Sequence, residues 1–201
     1  MKNKFLKTIL IVILTASFVG VFFVMSIMDL LNTKDVHEVT INAAGQLLVI
    51  ENSINGIIPT GKDYYYIGVD DSVGHIYTIH AGKKWLAGNF DENGIANGDG
   101  ITVKGLSKRA NDFNVEKELA NRIYQASDES GYNLALEPGM VLELNYVQDA
   151  VVRLIAGILI LVVGIIIFVF RKRSEEFPAW ARKTFLILFI LTLIFALWAI
   201  L

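Results

Sequence analysis

Aromatic side chains are the densest candidate chemistry in this chain. Tyr64, Tyr65 and Tyr66 are consecutive, and Tyr77 and Trp85 follow shortly after. In a strand, alternation places Tyr64 and Tyr66 on one face and Tyr65 on the other. Exposed together, Tyr64, Tyr66, Tyr77 and Trp85 would form a platform for a peptide, a glycan or a partner protein. Strands favour tyrosine for packing alone, so the same rings also suit a core. Exposure separates the two readings.

The other donors are sparse. The segment 91–100, Asp-Glu-Asn-Gly-Ile-Ala-Asn-Gly-Asp-Gly, carries the oxygen ligands calcium takes, but Ile95 stands where a third ligand belongs and no Glu closes the loop. A solvated turn explains it. His75 and His80 are five apart, which puts them on opposite faces of a strand and denies them a common metal. The serines lack a nucleophile-elbow context. Asp70-Asp71 and Asp91-Glu92 fall in predicted turns, where solvated charge is the default. Lys104, Lys108 and Arg109 make a small basic patch. The chain has no cysteine, so disulfides, thiolate catalysis and cysteine metal sites are excluded. No catalytic residue, metal or cofactor is expected.

The elements that position these residues alternate. Segment 47–57 alternates in part, 62–70 is rich in Tyr, Ile and Val, and 75–80 follows a polar turn, which reads as a hairpin. A short helix is expected over 83–90 and a strand over 101–106. Asn114 is the expected N-cap of a helix reaching about residue 127, with Val115, Leu119, Ile123 and Ala126 as its apolar stripe and Gly131 as its stop. A last strand is expected over 140–147. Segment 35–45 fits either a helix or a strand. The expected fold is α+β: a curled antiparallel sheet, possible as an OB-like barrel, with one or two helices.

Three apolar runs frame that domain, over 8–28, 151–170 and 184–201. Each approaches the roughly 20 residues a membrane span needs, so three transmembrane helices are expected. The first, preceded by basic 1–7, reads as an uncleaved signal anchor, because its apolar run continues past Ser17 without a small-residue cleavage site. Cleavage there is the alternative. Lys2, Lys4 and Lys7 precede the first run. Loop 171–183 has five Lys/Arg against two Glu, whereas 29–150 has 9 Lys/Arg against 18 Asp/Glu. The positive-inside rule therefore puts the N-terminus and the 171–183 loop in the cytoplasm, and the central domain and C-terminus outside. Arg153, Arg171, Lys172, Arg173, Trp180, Arg182, Lys183 and Trp198 are the expected interfacial anchors. The runs hold almost no ionisable residue, which argues against a transporter or channel. Thr15, Ser17, Ser26 and Thr192 are expected to bond their own helix backbone, and Gly157 and Gly164 lie seven apart on nearly one face.

Segment 54–68 (Ile-Asn-Gly-Ile-Ile-Pro-Thr-Gly-Lys-Asp-Tyr-Tyr-Tyr-Ile-Gly), with Ala81-Gly-Lys-Lys-Trp and Ile101-Thr-Val-Lys-Gly, resembles bacterial membrane proteins that carry a domain of unknown function. The resemblance implies a bacterial cytoplasmic membrane and brings no activity or functional residues. The acidic outer domain argues against nucleic acid. The expected function is a non-enzymatic envelope protein, an accessory or scaffold subunit binding a protein partner. The alternative is a sensor binding a small ligand or peptide on its aromatic face. An enzyme whose site is assembled from distant residues is the third.

Overall fold

The chain divides into two compact units, Asn32–Tyr146 and the flanking helical segments Met1–Leu31 with Val147–Leu201. The computed structural model describes residues 2–32, 34–54, 58–110, 112–172, 180, 183–184, 187, 190–191 and 194.

The central unit is built on a mixed sheet. Its strands are β1 (Val36–Ile41), β2 (Ala43–Ile54), β3 (Ile58–Asp70), β4 (His75–Ala81), β5 (Ile101–Arg109), β6 (Asn133–Leu134) and β7 (Met140–Glu143), in the order β1-β5-β7-β4-β3-β2, with β6 beside β4. The ambiguous segment 35–45 forms β1 and the start of β2, with a bend at Asn42. The antiparallel expectation is corrected here: β4 runs parallel to both β6 and β7. The crossover through helix α3 (Phe113–Ser130) brings the chain back alongside β4 in the same sense, which hairpins cannot do.

The two outer strands of the order, β1 and β2, are separated in sequence by Asn42 alone. That residue is fixed at the bend. Its N–H donates to the Val69 carbonyl at 2.8 Å, its carbonyl accepts from Ala96 N–H at 2.8 Å, and its side-chain oxygen accepts from Asp71 N–H at 3.0 Å. Ile41 then crosses onto β3, where Gly68 admits it: a Cβ on Gly68 would stand 2.5 Å from Ile79 Cδ1 and 3.1 Å from Ile41 Cδ1.

Alternation along the strands divides the core. One face gathers Ile41, Tyr66, Tyr77, Ile79, Phe90 and Leu142, capped by the short helix α2 (Trp85–Asn89). The other gathers Tyr65, Ala110, Leu119 and Val141, with Leu119 supplied by α3. The cap of α3 is Asp112, not Asn114: its Oδ1 accepts from Asn114 N at 2.7 Å and Val115 N at 3.1 Å. A carboxylate there also complements the helix dipole. Gly131 ends the helix at φ 75°, as expected for a left-handed C-cap.

The expectation of three transmembrane helices is overturned. Among the described residues one helical stretch, Tyr146–Ile166, is long and apolar enough to cross a membrane, and Thr15–Leu31 is a shorter apolar helix. The third run, 184–201, lies for the most part outside the described residues. Helix α4 (Tyr146–Lys172) begins before its expected start, because β7 stops at Glu143 and the chain turns at Leu144 and Asn145.

Helix α1 (Lys2–Leu31) packs antiparallel to α4, since Asp29 meets Arg153, Phe22 and Phe23 meet Gly157, and Thr15 meets Gly164. Phe22, Ala156 and Ile160 are buried between them. The glycines set the approach: a Cβ on Gly164 would lie 2.6 Å from Thr15 Cγ2, and one on Gly157 would lie 3.0 Å from Phe23 Cε2. Thr15 and Ser26 depart from expectation. Both hydroxyls are buried without a hydrogen-bond partner, which opposes the packing that encloses them.

Candidate functional site

The aromatic residues singled out in the sequence converge on one face of the central unit, and most are walls rather than platform. Tyr66 and Tyr77 are buried, and Tyr64 and Trp85 are half-buried against the same cluster. Trp85 stands between Tyr66 and Phe90, with ring centroids 5.1 and 5.2 Å away, in tilted geometry. The Tyr66 hydroxyl donates to the carbonyls of Gly82 and Lys83 at 3.2 and 3.3 Å. Those bonds tie β3 to the turn that starts α2.

A cleft of about 380 Å³ opens beside this cluster, within the size range of small-ligand sites. Tyr66, Leu86, Ala87 and Phe90 supply its apolar surface, and Gln46, Lys83, Asp91 and Glu92 its polar surface. The 91–96 turn that carries the two acids is held in place. Asp91 Oδ1 accepts from Asn93 N at 2.8 Å and Ile95 N at 2.9 Å, and Gly94 takes φ 77°. One oxygen of the segment considered for calcium, Asp91 Oδ1, is thus engaged by its own backbone. Among the described residues no group of three or more His, Asp or Glu side chains has a metal-holding arrangement.

On the opposite face a charged network joins four strands. His80 on β4 bonds Glu143 on β7 through Nδ1 at 2.5 Å, and its Nε2 faces Asp63 on β3 at 3.7 Å. Lys108 on β5 lies 3.6 Å from the same Glu143 oxygen. Asn52 donates to the second oxygen of Asp63 at 2.9 Å, and Tyr65 stacks on the His80 ring at 4.8 Å.

Burial alone would lower the His80 pKa, but the hydrogen bonds and charges of Asp63 and Glu143 prevail and push it up to about 9. Burial pulls Glu143 and Asp63 the other way, upward, and the His80 contact outweighs it, so both carboxyls sit below their ordinary values. Burial, with the nearby acids, raises the Tyr65 phenol. His80 is therefore an imidazolium at neutral pH with both ring nitrogens engaged. It is poorly suited to take up a proton, and the network acts as a latch between strands.

Sequence reasoning weighed His80 only as a metal ligand and missed its partners, because Asp63, Lys108 and Glu143 are scattered along the chain. The available signal was Glu143 itself, a carboxylate inside the apolar run Val141-Leu142-Glu143-Leu144.

The expected membrane anchors divide as follows. Arg153 turns inward: it is buried, its Nη2 lies 2.5 Å from Asp29 Oδ2, and its Nε donates to the Asp149 carbonyl at 3.2 Å. The ion pair with Asp29 turns that guanidinium away from the interfacial position expected for it. Arg171 and Lys172 fall in the last turn of α4. Trp180 and Lys183 are exposed helical positions. Arg173, Arg182 and Trp198 lie outside the described residues.

No family model, curated protein or solved structure matches the chain.

Proposed function

We propose that this protein is a non-enzymatic accessory subunit of a bacterial envelope, anchored in the membrane by the α1/α4 hairpin, with its acidic domain binding a protein partner. The observation that carries the reading is the outward surface of the hairpin. Val151, Ile155, Ile158, Leu159, Val162 and Ile165 on α4, and Val21, Val24, Met25 and Met28 on α1, are all exposed. An apolar surface of this extent is unfavourable in water and favourable among acyl chains. Only 28% of the most apolar window of α4 is buried, which argues against the core helix of a water-soluble domain.

Antiparallel pairing supports the orientation as well. It brings Lys2, Lys4 and Lys7 to the same end of the hairpin as Arg171 and Lys172, the end assigned to the cytoplasm by the positive-inside rule. Residues 32–146 hold 9 Lys/Arg against 16 Asp/Glu, which favours a partner with a basic surface.

The chain has no cysteine, so single cysteines report orientation cleanly. Asn97→Cys in the exposed 97–99 turn should react with a membrane-impermeant maleimide on intact cells, and Asn3→Cys only after lysis. The full chain should stay with membranes through alkaline carbonate, and a pull-down in mild detergent should return a reproducible partner. Release by carbonate, the reverse labelling pattern, or a monomeric mass with no partner overturns the reading.

A second reading, a binding module for a small ligand or peptide, is supported by the cleft beside Tyr66.

A further inference from the structure

We propose that the cleft between Tyr66 and Phe90 seats a lysine or arginine side chain of the partner protein. The proposal rests on the partner-binding reading above and names the anchor point.

Two chemistries meet in the cleft. Leu86 and Ala87 offer apolar surface above the buried Tyr66 and Phe90, while Asp91 and Glu92 bring two acidic residues to the same lining. A long cationic side chain matches both at once, its methylene stem lying on apolar surface while its charged head reaches carboxylates. A purely apolar side chain would leave two acids facing a single counter-charge, that of Lys83. A phosphate or other anion would face repulsion from two carboxylates against one ammonium, that of Lys83.

The site is also preorganised. The Asp91 turn is fixed by its bonds to Asn93 and Ile95. Phe90 and Tyr66 are held by Trp85 between them, and the Tyr66 hydroxyl is tied to the Gly82 and Lys83 carbonyls. Little ordering is therefore left for binding to supply, which favours affinity. Hot-spot anchors of protein interfaces are enriched in arginine seated in such pockets. The volume, about 380 Å³, accepts one side chain with room for neighbouring backbone. Lys83 on the rim disfavours a second cation and can meet a carbonyl of the same segment.

The test uses the full chain in detergent micelles, with backbone amide resonances followed by nuclear magnetic resonance. N-acetyl-arginine methylamide is the probe and N-acetyl-norleucine methylamide the control of matched stem. The arginine probe should give saturable shifts at Phe90, Asp91 and Glu92, and the norleucine control should bind at least about tenfold more weakly. Glu92→Lys should weaken the arginine probe by about tenfold or more. Ala87→Trp, a substitution at an exposed position that fills the cleft, should abolish binding. No shift at these amides, or equal binding by probe and control, overturns the proposal.

Both variants are then used as bait in the pull-down. A partner captured by the original chain and lost by Glu92→Lys and Ala87→Trp supports the proposal. A partner retained equally by both overturns the cleft as anchor and leaves the partner-binding reading intact. Failure to capture any partner, with the arginine probe still binding, overturns the protein source and marks a site for a small free cation.

Discussion

At the scale of single residues, His80 is the side chain whose chemistry depends most on its neighbours. Its pKa is raised from 6.5 to about 9, so its protonation stabilises the fold fully below about 6.5, and that contribution is lost as pH rises through about 9. Asp63 and Glu143 are lowered from 3.8 and 4.5. Their contributions are present above those values and lost as pH falls through the lower folded ones. Thermal stability should therefore be greatest between about pH 4.5 and 6.5 and decline towards pH 9. His80→Gln should cost about 1–3 kcal/mol near pH 6 and flatten the alkaline limb. Circular dichroism melts across pH check this, and a midpoint unchanged from pH 6.5 to 9.5 would contradict it. The sequence placed His80 opposite in face to His75, but its partners come from β3, β5 and β7. Strand pairing brings them together, and strand pairing has no local signature.

Among the elements, the α1/α4 seam gives the sharpest test. Asp29→Ala leaves the buried Arg153 guanidinium without its carboxylate, which should cost about 3–5 kcal/mol. Exchanging the two charges, Asp29→Arg with Arg153→Asp, should recover part of the loss. Detergent-solubilised full chain followed by thermal unfolding measures both. In the sheet unit, Asp112→Ala removes the acceptor for two N–H groups of α3 and should cost about 1 kcal/mol. Helix α3 was legible because its stripe, its acidic start and Gly131 are local. Its cap was displaced by two residues because Asn114 and Asp112 are both capping types and only the backbone decides between them. Strand β7 and the start of α4 were blurred for a related reason. The run 140–147 alternates well enough for a strand, yet β7 pairs only over Met140–Glu143.

For the whole molecule, the segregation of charge sets the expectations. If the domain of residues 32–146 meets its partner through 16 acids against 9 bases, raising salt from about 50 to 300 mM should weaken capture of that partner severalfold. Capture indifferent to salt would point to an apolar interface instead. The sequence by itself determined the division of the chain, the acidic balance of its middle, the absence of cysteine chemistry and the local signals of α3 and the β3–β4 hairpin. Composition and short-range periodicity are properties of contiguous residues, so they can be read without a fold. The tertiary structure decided the rest: the parallel placement of β6 and β7, the single residue joining the two sheet edges, the inward turn of Arg153 onto Asp29, and the burial of Tyr66 beside an acidic cleft. Each of these is a meeting of residues far apart in the chain, selected by packing and ion pairing, which act on distance in space and leave no pattern along the sequence.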